Sequence, residues 1–170
     1  MRVGDVIDHD VHTVQQMLCA PVTATGRSIS RHIYARPMAH YALAARALTD
    51  MGIRTVTLVV GSIYPVKDAD QSAGPPNLKS CAYVQAVATF LRRSNLTVGI
   101  RNTSPDADFA WMSSSAVYIP SGGGYSELVA AMVRLSRGVV LPMPQMNESG
   151  PAPHSPAAVE AVDALCAGGA

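Results

Sequence analysis

The sequence predicts a single α/β domain in which helices cover both faces of a mostly parallel sheet. Strand-like and helix-like segments alternate along the 170 residues, a length suited to one domain with an ordinary core. The central strands, such as Thr55–Val60, are continuous apolar runs without polar alternation. Such runs are typical of parallel strands that are buried on both faces. We expect this domain to span Met1–Leu141.

Five short β-branched or apolar segments predict the strands. They are Val3–Ile7, Thr55–Val60, Thr97–Ile100, Val117–Ile119 and Val139–Leu141. The tail 142–170 is rich in proline, serine and alanine and contains few large apolar residues. It is therefore expected to be weakly ordered.

Capping residues and apolar spacing predict five helices between these strands. Asp10 is suited to cap the first helix, and Pro37 fits the first turn of the second, which Gly52 ends. Ser104-Pro105 opens the short fourth helix. The expected helical segments are Val11–Cys19, 37–51, Asn77–Ser94, 105–112 and Glu127–Arg137.

The most informative segment joins the fourth strand to the last helix. It reads Ser121-Gly122-Gly123-Gly124-Tyr125-Ser126. Glycines at this place let backbone N–H groups approach a ligand, and the start of a helix adds unpaired donors and partial positive charge. An anion, most often a phosphate, is the ligand that such a turn favours. The alternative is a tight strand-to-helix connection without a ligand.

Composition excludes several classes of protein. The net charge of +1 and the lack of basic stripes predict no nucleic-acid partner. The longest apolar runs are strand-sized, so no membrane segment is expected. The three cysteines are far apart and lack Cys-x-x-Cys spacing, which predicts neither a disulfide framework nor a zinc knuckle.

A metal site is an alternative interpretation of the histidines near the N-terminus. His9 and His12 could share one side of a helical turn, with His32 or His40 completing the set. No second paired-ligand motif supports this interpretation, and capping accounts for the neighbouring aspartates. We therefore expect no metal and no other cofactor.

Two groups of residues resemble motifs of fucosyltransferase-like glycosyltransferases. Arg2-Val3-Gly4-Asp5 matches the last four positions of a His-x-Arg-x-Gly-Asp type motif that ends a strand in that family. Later in the chain, an acidic segment, a Met-Ser-x-Ala run, a strand and a Ser/Gly-aromatic-Ser turn follow in the family's order. The residues that carry this second match are Asp106, Asp108, Met112, Ser113, Ala116 and the turn Ser121–Ser126.

This resemblance implies a Rossmann-like domain, one half of a GT-B glycosyltransferase, that binds a nucleotide sugar such as GDP-fucose. Arg2 would be the catalytic residue, pairing with the donor's β-phosphate beside Asp5, and the turn residues Ser121 to Ser126 would cradle the diphosphate. Asp106 or Asp108 would face the nucleoside or brace the loop. Such enzymes need no metal, because arginine and helix-end donors supply the positive charge.

The resemblance also implies that part of the enzyme is missing. The motif's histidine would precede Met1, so the chain would be an N-terminally truncated fragment without the domain that binds a glycan or protein acceptor. The compartment is left open between the Golgi or secretory lumen, if the full-length chain has an anchor, and the cytoplasm.

Two other functions are compatible with the same turn. The first is an inactive remnant or non-catalytic α/β module that binds a nucleotide or phosphate without turnover. The second is a sugar-phosphate isomerase or another phosphate-binding α/β protein, which would prefer a simple phosphosugar to GDP. Preference for a phosphosugar over GDP would indicate the isomerase, whereas a His-x-Arg context upstream of Met1 would favour an enzyme over the remnant.

Overall fold

A computed structural model of the chain describes residues 2–3, 13–19, 35–61 and 78–141. In this part of the chain the fold is α/β, as predicted. The strands are β1 (Arg2–Val3), β2 (Thr55–Val60), β3 (Thr97–Arg101), β4 (Val117–Tyr118) and β5 (Val139–Val140). The helices are α1 (Val14–Leu18), α2 (Met38–Asp50), α3 (Leu78–Arg93), α4 (Pro105–Ser113) and α5 (Gly123–Leu135).

All described strand pairs are parallel. One sheet has the order β1-β2-β3, and a second joins β4 to β5. β2 pairs with β3 over five positions, from Thr55↔Thr97 to Val59↔Arg101. It pairs with β1 over only two, Arg2↔Val59 and Val3↔Val60. Parallel neighbours require crossover connections, which the helices between the strands provide.

The strands lie between two apolar cores, so the domain has three layers. Alternate side chains of a strand point to opposite faces, and β2 follows this rule. Its Val56, Leu58 and Val60 belong to the core formed with α1, α2 and α3. Val59 belongs to the second core, which contains Met112 of α4 and apolar residues of α5. Helices therefore cover both faces, as the apolar strand runs indicated.

The starts of two helices differ from the sequence prediction. α1 begins after Thr13, whose hydroxyl accepts a hydrogen bond from the Gln16 N–H while the Gln16 side chain accepts from the Thr13 N–H. This reciprocal pair caps the helix, so the prediction that Asp10 caps it was wrong. α5 begins at Gly123, four residues before the predicted Glu127. Because glycine has a low helix propensity, the sequence did not indicate that the first turn of α5 is helical.

Other predictions fall outside the described residues or need correction. The predicted strand continues past Val3 into residues that the structure does not describe, and the tail 142–170 also lies outside them. Cys19, at the C-terminal cap of α1, is disulfide-bonded, although the cysteine spacing had predicted no disulfide framework. Cys81 is a free thiol.

Candidate functional site

The glycine turn lies at the carboxyl ends of the parallel strands. β4 ends at Tyr118 and α5 begins at Gly123, so the turn follows the strand directly. The start of α2 lies at the same edge, because the other end of that helix leads into the amino end of β2. In open α/β sheets, ligands bind in the crevice at this edge.

A buried hydroxyl holds the turn in its shape. Ser126 is 0% exposed, and its Oγ accepts a hydrogen bond of 3.1 Å from the Ser121 N–H. The same Oγ lies 2.8 Å from the hydroxyl of Tyr118. The hydroxyl of Ser126 therefore serves the turn itself, and the exposed residue of the turn is Gly124.

The glycines have the backbone freedom that this turn requires. Gly122, the N-cap of α5, has a φ of 106°, and Gly123 has a φ of 78°, where residues with a side chain are strained. Gly124 is exposed, and a Cβ built on it would meet no atom within 4 Å. The N–H groups of Gly123 and Gly124 belong to the first turn, where a helix offers its donors no carbonyl. The N–H groups of Gly123 and Gly124 are therefore suited to donate hydrogen bonds to an anion.

Arg36 brings positive charge to this turn, a role that the sequence did not reveal. Its guanidinium donates to the carbonyl oxygen of Ser121 through Nε at 2.9 Å and through Nη2 at 2.7 Å. Ser121 is 3% exposed, and its Oγ is buried without a hydrogen-bond partner. The start of α5 therefore lies beside a guanidinium and a buried hydroxyl that can still donate or accept.

Two tyrosines fix the backbone of Arg36. The hydroxyl of Tyr83 accepts from the Arg36 N–H and donates to the Arg36 carbonyl oxygen, both at 2.6 Å. The hydroxyl of Tyr41 lies 2.9 Å from that of Tyr83. Burial raises the pKa of Tyr83 to about 12 and raises the pKa of Tyr41 well above 10. Both phenols are therefore neutral hydrogen-bonding groups at physiological pH.

A buried histidine adjoins the same arginine. His40, in the first turn of α2, is 5% exposed and packs edge-on against the ring of Tyr41. Burial, and then the charge of Arg36, lower the pKa of His40 to about 3. The imidazole is therefore neutral near pH 7, which keeps a second positive charge away from Arg36.

The two acidic residues of the resemblance have different surroundings. Asp108 is 5% exposed and accepts a hydrogen bond of 2.8 Å from Arg101 Nε. It also accepts from the N–H and the hydroxyl of Thr103, and so braces the loop between β3 and α4. Asp106 is exposed in the first turn of α4. The Tyr125 hydroxyl donates to the Pro105 carbonyl at 2.8 Å, tying α5 to α4.

The remaining predicted site residues lie at or beyond the limit of the described structure. The backbone of Arg2 forms β1, but its side chain and the whole of Asp5 lie outside the described residues. Within the part of the chain that is described, no three His, Cys, Asp or Glu side chains form a group that could hold a metal. No helix among the described residues is long and apolar enough to cross a bilayer.

No protein-family model, curated protein or solved structure matches this chain. Its own geometry is therefore the basis for a function. That geometry brings the glycine N–H groups, the Arg36 guanidinium and the Ser121 hydroxyl together at the start of α5.

Proposed function

We propose that this chain is the donor-binding domain of a glycosyltransferase that binds a nucleotide sugar of the GDP-fucose type. The diphosphate would lie over the first turn of α5, against the N–H groups of Gly123 and Gly124. Arg36 would add positive charge, and the buried Ser121 hydroxyl would turn to a phosphate oxygen. A glycosyl group would then pass to a glycan or protein acceptor held by another domain.

The observation that carries this proposal is the bidentate contact of Arg36 with the Ser121 carbonyl, one residue before the N-cap of α5. It brings a permanent cation next to a glycine-rich helix start. Helix donors and a guanidinium are the two protein groups best suited to a diphosphate. They bind the ground state, and they also stabilise the charge that builds on a departing nucleotide.

Each residue in the proposed site has a distinct role. Gly124 leaves open space through which a phosphate reaches the helix start, and Gly122 and Gly123 supply the backbone angles. Ser126 shapes the turn from inside. Arg2 remains the proposed catalytic arginine, as the resemblance implies, and it lies in β1, which runs parallel to β2. No metal takes part in this proposal.

A non-catalytic nucleotide-binding module is the second candidate. The proposed site contains donors for a diphosphate, but among the described residues we assign no general base for an acceptor. This module would bind the nucleotide as well as an enzyme does. It would differ in showing no transfer and no hydrolysis of the nucleotide sugar.

Calorimetric titration of the folded protein with GDP, inorganic phosphate and a simple phosphosugar tests the proposal. GDP is expected to bind most tightly, because a diphosphate can reach both the helix donors and Arg36. Tighter binding of the phosphosugar would favour a sugar-phosphate enzyme instead. No binding of any of the three at millimolar concentration would refute an anion site at α5.

A second measurement separates the enzyme from the module. The protein is incubated with GDP-fucose, and released GDP is measured with and without candidate acceptors. Release above the rate of a Gly124→Asp control supports a transferase. Tight binding of GDP without any release supports the non-catalytic module.

A further inference from the structure

The helix α5 has a second apolar face, which points away from the second core. Its inner face packs on that core through Val129 and Val133. With about 100° between successive residues, the opposite side of the helix carries four exposed residues, which we call the outer stripe: Gly124, Leu128, Ala131 and Leu135. Leu128 is 54% exposed and Leu135 is 77% exposed. A helix that is apolar all round is normally covered on every side, so the outer stripe indicates contact with another surface.

Small and large residues alternate along the outer stripe. Its order is glycine, leucine, alanine, leucine. When two copies of α5 pack antiparallel about a twofold axis midway between Leu128 and Ala131, each Leu128 meets Ala131 of the other copy. Each Leu135 then meets Gly124 of the other copy, where space is open because a Cβ would have no atom within 4 Å. The outer stripe is therefore complementary in size to itself, as an interface between identical surfaces requires.

The two charged residues of α5 are complementary in the same arrangement. Glu127 and Arg134 are exposed and lie on one flank of the outer stripe. They are about 10 Å apart along the helix axis, too far to pair with each other in one chain. Within the described part of the chain, neither forms an ion pair. The twofold axis places Glu127 of each copy beside Arg134 of the other, about 3 Å away along the axis, so two identical ion pairs form.

A parallel pair of helices has neither property. Each Leu128 would meet Leu128 of the other copy, and each Gly124 would meet Gly124, which leaves a gap. Glu127 and Arg134 of the two copies would lie on opposite flanks of the contact and could not pair. Size and charge therefore both favour the antiparallel arrangement.

We propose that the outer stripe is a self-association surface whose partner is a second copy of this chain, packed antiparallel. The stripe covers about three turns, or about 16 Å of helix. A standard interface buries about 800 Å² on each partner, more than one helix face of this length provides. The dimer is therefore weak, with a dissociation constant between micromolar and millimolar. The proposal does not rest on the proposed function, and it is tested without nucleotide because Gly124 belongs to both surfaces.

Charge reversal tests the ion pairs between the two copies. Glu127→Arg would place a positive charge beside Arg134 of the other copy, and Arg134→Glu would place two negative charges together. Each substitution acts twice in the dimer, so we expect each to weaken association about tenfold or more. Both substitutions in one chain restore opposite charges and should return the dissociation constant to within about threefold of the parent value. Sedimentation equilibrium from micromolar to millimolar protein measures these constants.

A variant within the outer stripe tests the apolar contact. Leu128→Glu would bury a carboxylate against Ala131 of the other copy and should eliminate the dimer. Leu78→Glu is the matched control, because Leu78 is 70% exposed at the start of α3 and lies outside the outer stripe. It should leave the dissociation constant unchanged. All of these substitutions alter exposed side chains, and circular dichroism and Tm check that each variant folds.

Three results would overturn the proposal. The first is a parent chain that stays monomeric at millimolar concentration, since the outer stripe would then have a different occupant. The second is a double charge reversal that associates as weakly as either single variant, because Glu127 and Arg134 would then not pair across the dimer. The third is a dimer that persists unchanged in Leu128→Glu, which would locate the association elsewhere on the protein.

Discussion

Arg36 donates two hydrogen bonds to the carbonyl oxygen of Ser121, 85 positions later in the chain. The contact joins the start of α2 to the turn that opens α5. A guanidinium is permanently charged and presents parallel donors, so the contact also brings positive charge to the start of α5. The same side chain therefore has a structural and a proposed ligand-binding role.

Variants of Arg36 separate these two roles. Arg36→Lys keeps the charge but loses the bidentate geometry, and Arg36→Gln removes the charge. We expect GDP binding to weaken about tenfold or more in Arg36→Gln, the loss of roughly 1.5–3 kcal/mol given by a hydrogen bond to a charged group. Arg36→Lys should lose less. Equal GDP affinity in the parent chain and Arg36→Gln, measured by calorimetry on folded samples, would remove Arg36 from the site.

Gly124→Asp should abolish nucleotide binding without unfolding the protein. The new side chain would enter open space, since a Cβ at Gly124 meets nothing within 4 Å. A carboxylate in the first helical turn stabilises the helix by about 0.3–1 kcal/mol, but it repels a phosphate. Gly124→Asn, of similar size and without charge, is the matched control. Tm and GDP affinity are measured for both variants, so that a loss of binding can be distinguished from a loss of folding. Undiminished GDP binding in Gly124→Asp would contradict the proposal.

Ser126→Ala should destabilise the fold, because the substitution removes the acceptor of the buried Ser121 N–H. Leaving a buried donor unsatisfied costs about 1–3 kcal/mol. Ser114→Ala, which removes an exposed hydroxyl that donates to the Trp111 carbonyl, should change stability by less than about 0.5 kcal/mol. Urea denaturation of both variants provides the comparison. Similar midpoints would show that Ser126 does not hold the turn.

The buried His40 should make the protein less stable as pH falls. Its pKa is lowered from 6.5 to about 3, first by burial and then by Arg36. Below about pH 6.5, His40 of the unfolded chain therefore binds a proton. In the folded chain His40 stays neutral until the pH falls to about 3. The unfolding free energy should decrease across this window by up to about 1.4 kcal/mol per pH unit from this residue.

His40→Leu isolates that contribution. Leucine cannot bind the proton, so only the parent chain should lose this contribution. The unfolding free energy of the parent minus that of His40→Leu should therefore decrease as pH falls from 7 to 4. Denaturant titrations at several pH values measure it. A difference that stays constant over this range would show that His40 titrates normally.

Gly138→Ala should be destabilising for a steric reason. A Cβ at Gly138 would lie 2.6 Å from the Ser115 carbonyl oxygen and 3.1 Å from that of Val133, so backbone would have to move. Strain of this kind costs about 1–3 kcal/mol. Gly99→Ala, on the partly exposed β3, is the control. Its Cβ would lie 3.6 Å from Thr57 Oγ1 of β2, which is an ordinary van der Waals contact. Thermal unfolding should show a lower Tm for Gly138→Ala alone.

Local signals in the sequence determined the fold class and most of the described elements. The apolar run of β2 and the cap at Ser104-Pro105 act within a few residues, so they could be recognised without the rest of the chain. The glycine turn was recognised in the same way. Its helix was predicted to begin too late, because glycine disfavours helices locally while packing against the second core holds α5 in place.

The tertiary structure alone decided which groups surround that turn. Arg36 lies just before the predicted helix 37–51, in none of the predicted elements, and Ser126, expected to face the ligand, has its hydroxyl inside the protein. The parallel pairing of β1 with β2 joins Arg2 to Val59, a register that no local pattern encodes. These features join residues far apart in the chain, and such contacts arise only when the helices and strands pack. Composition and spacing could therefore predict an anion-binding turn but not the residues that complete it.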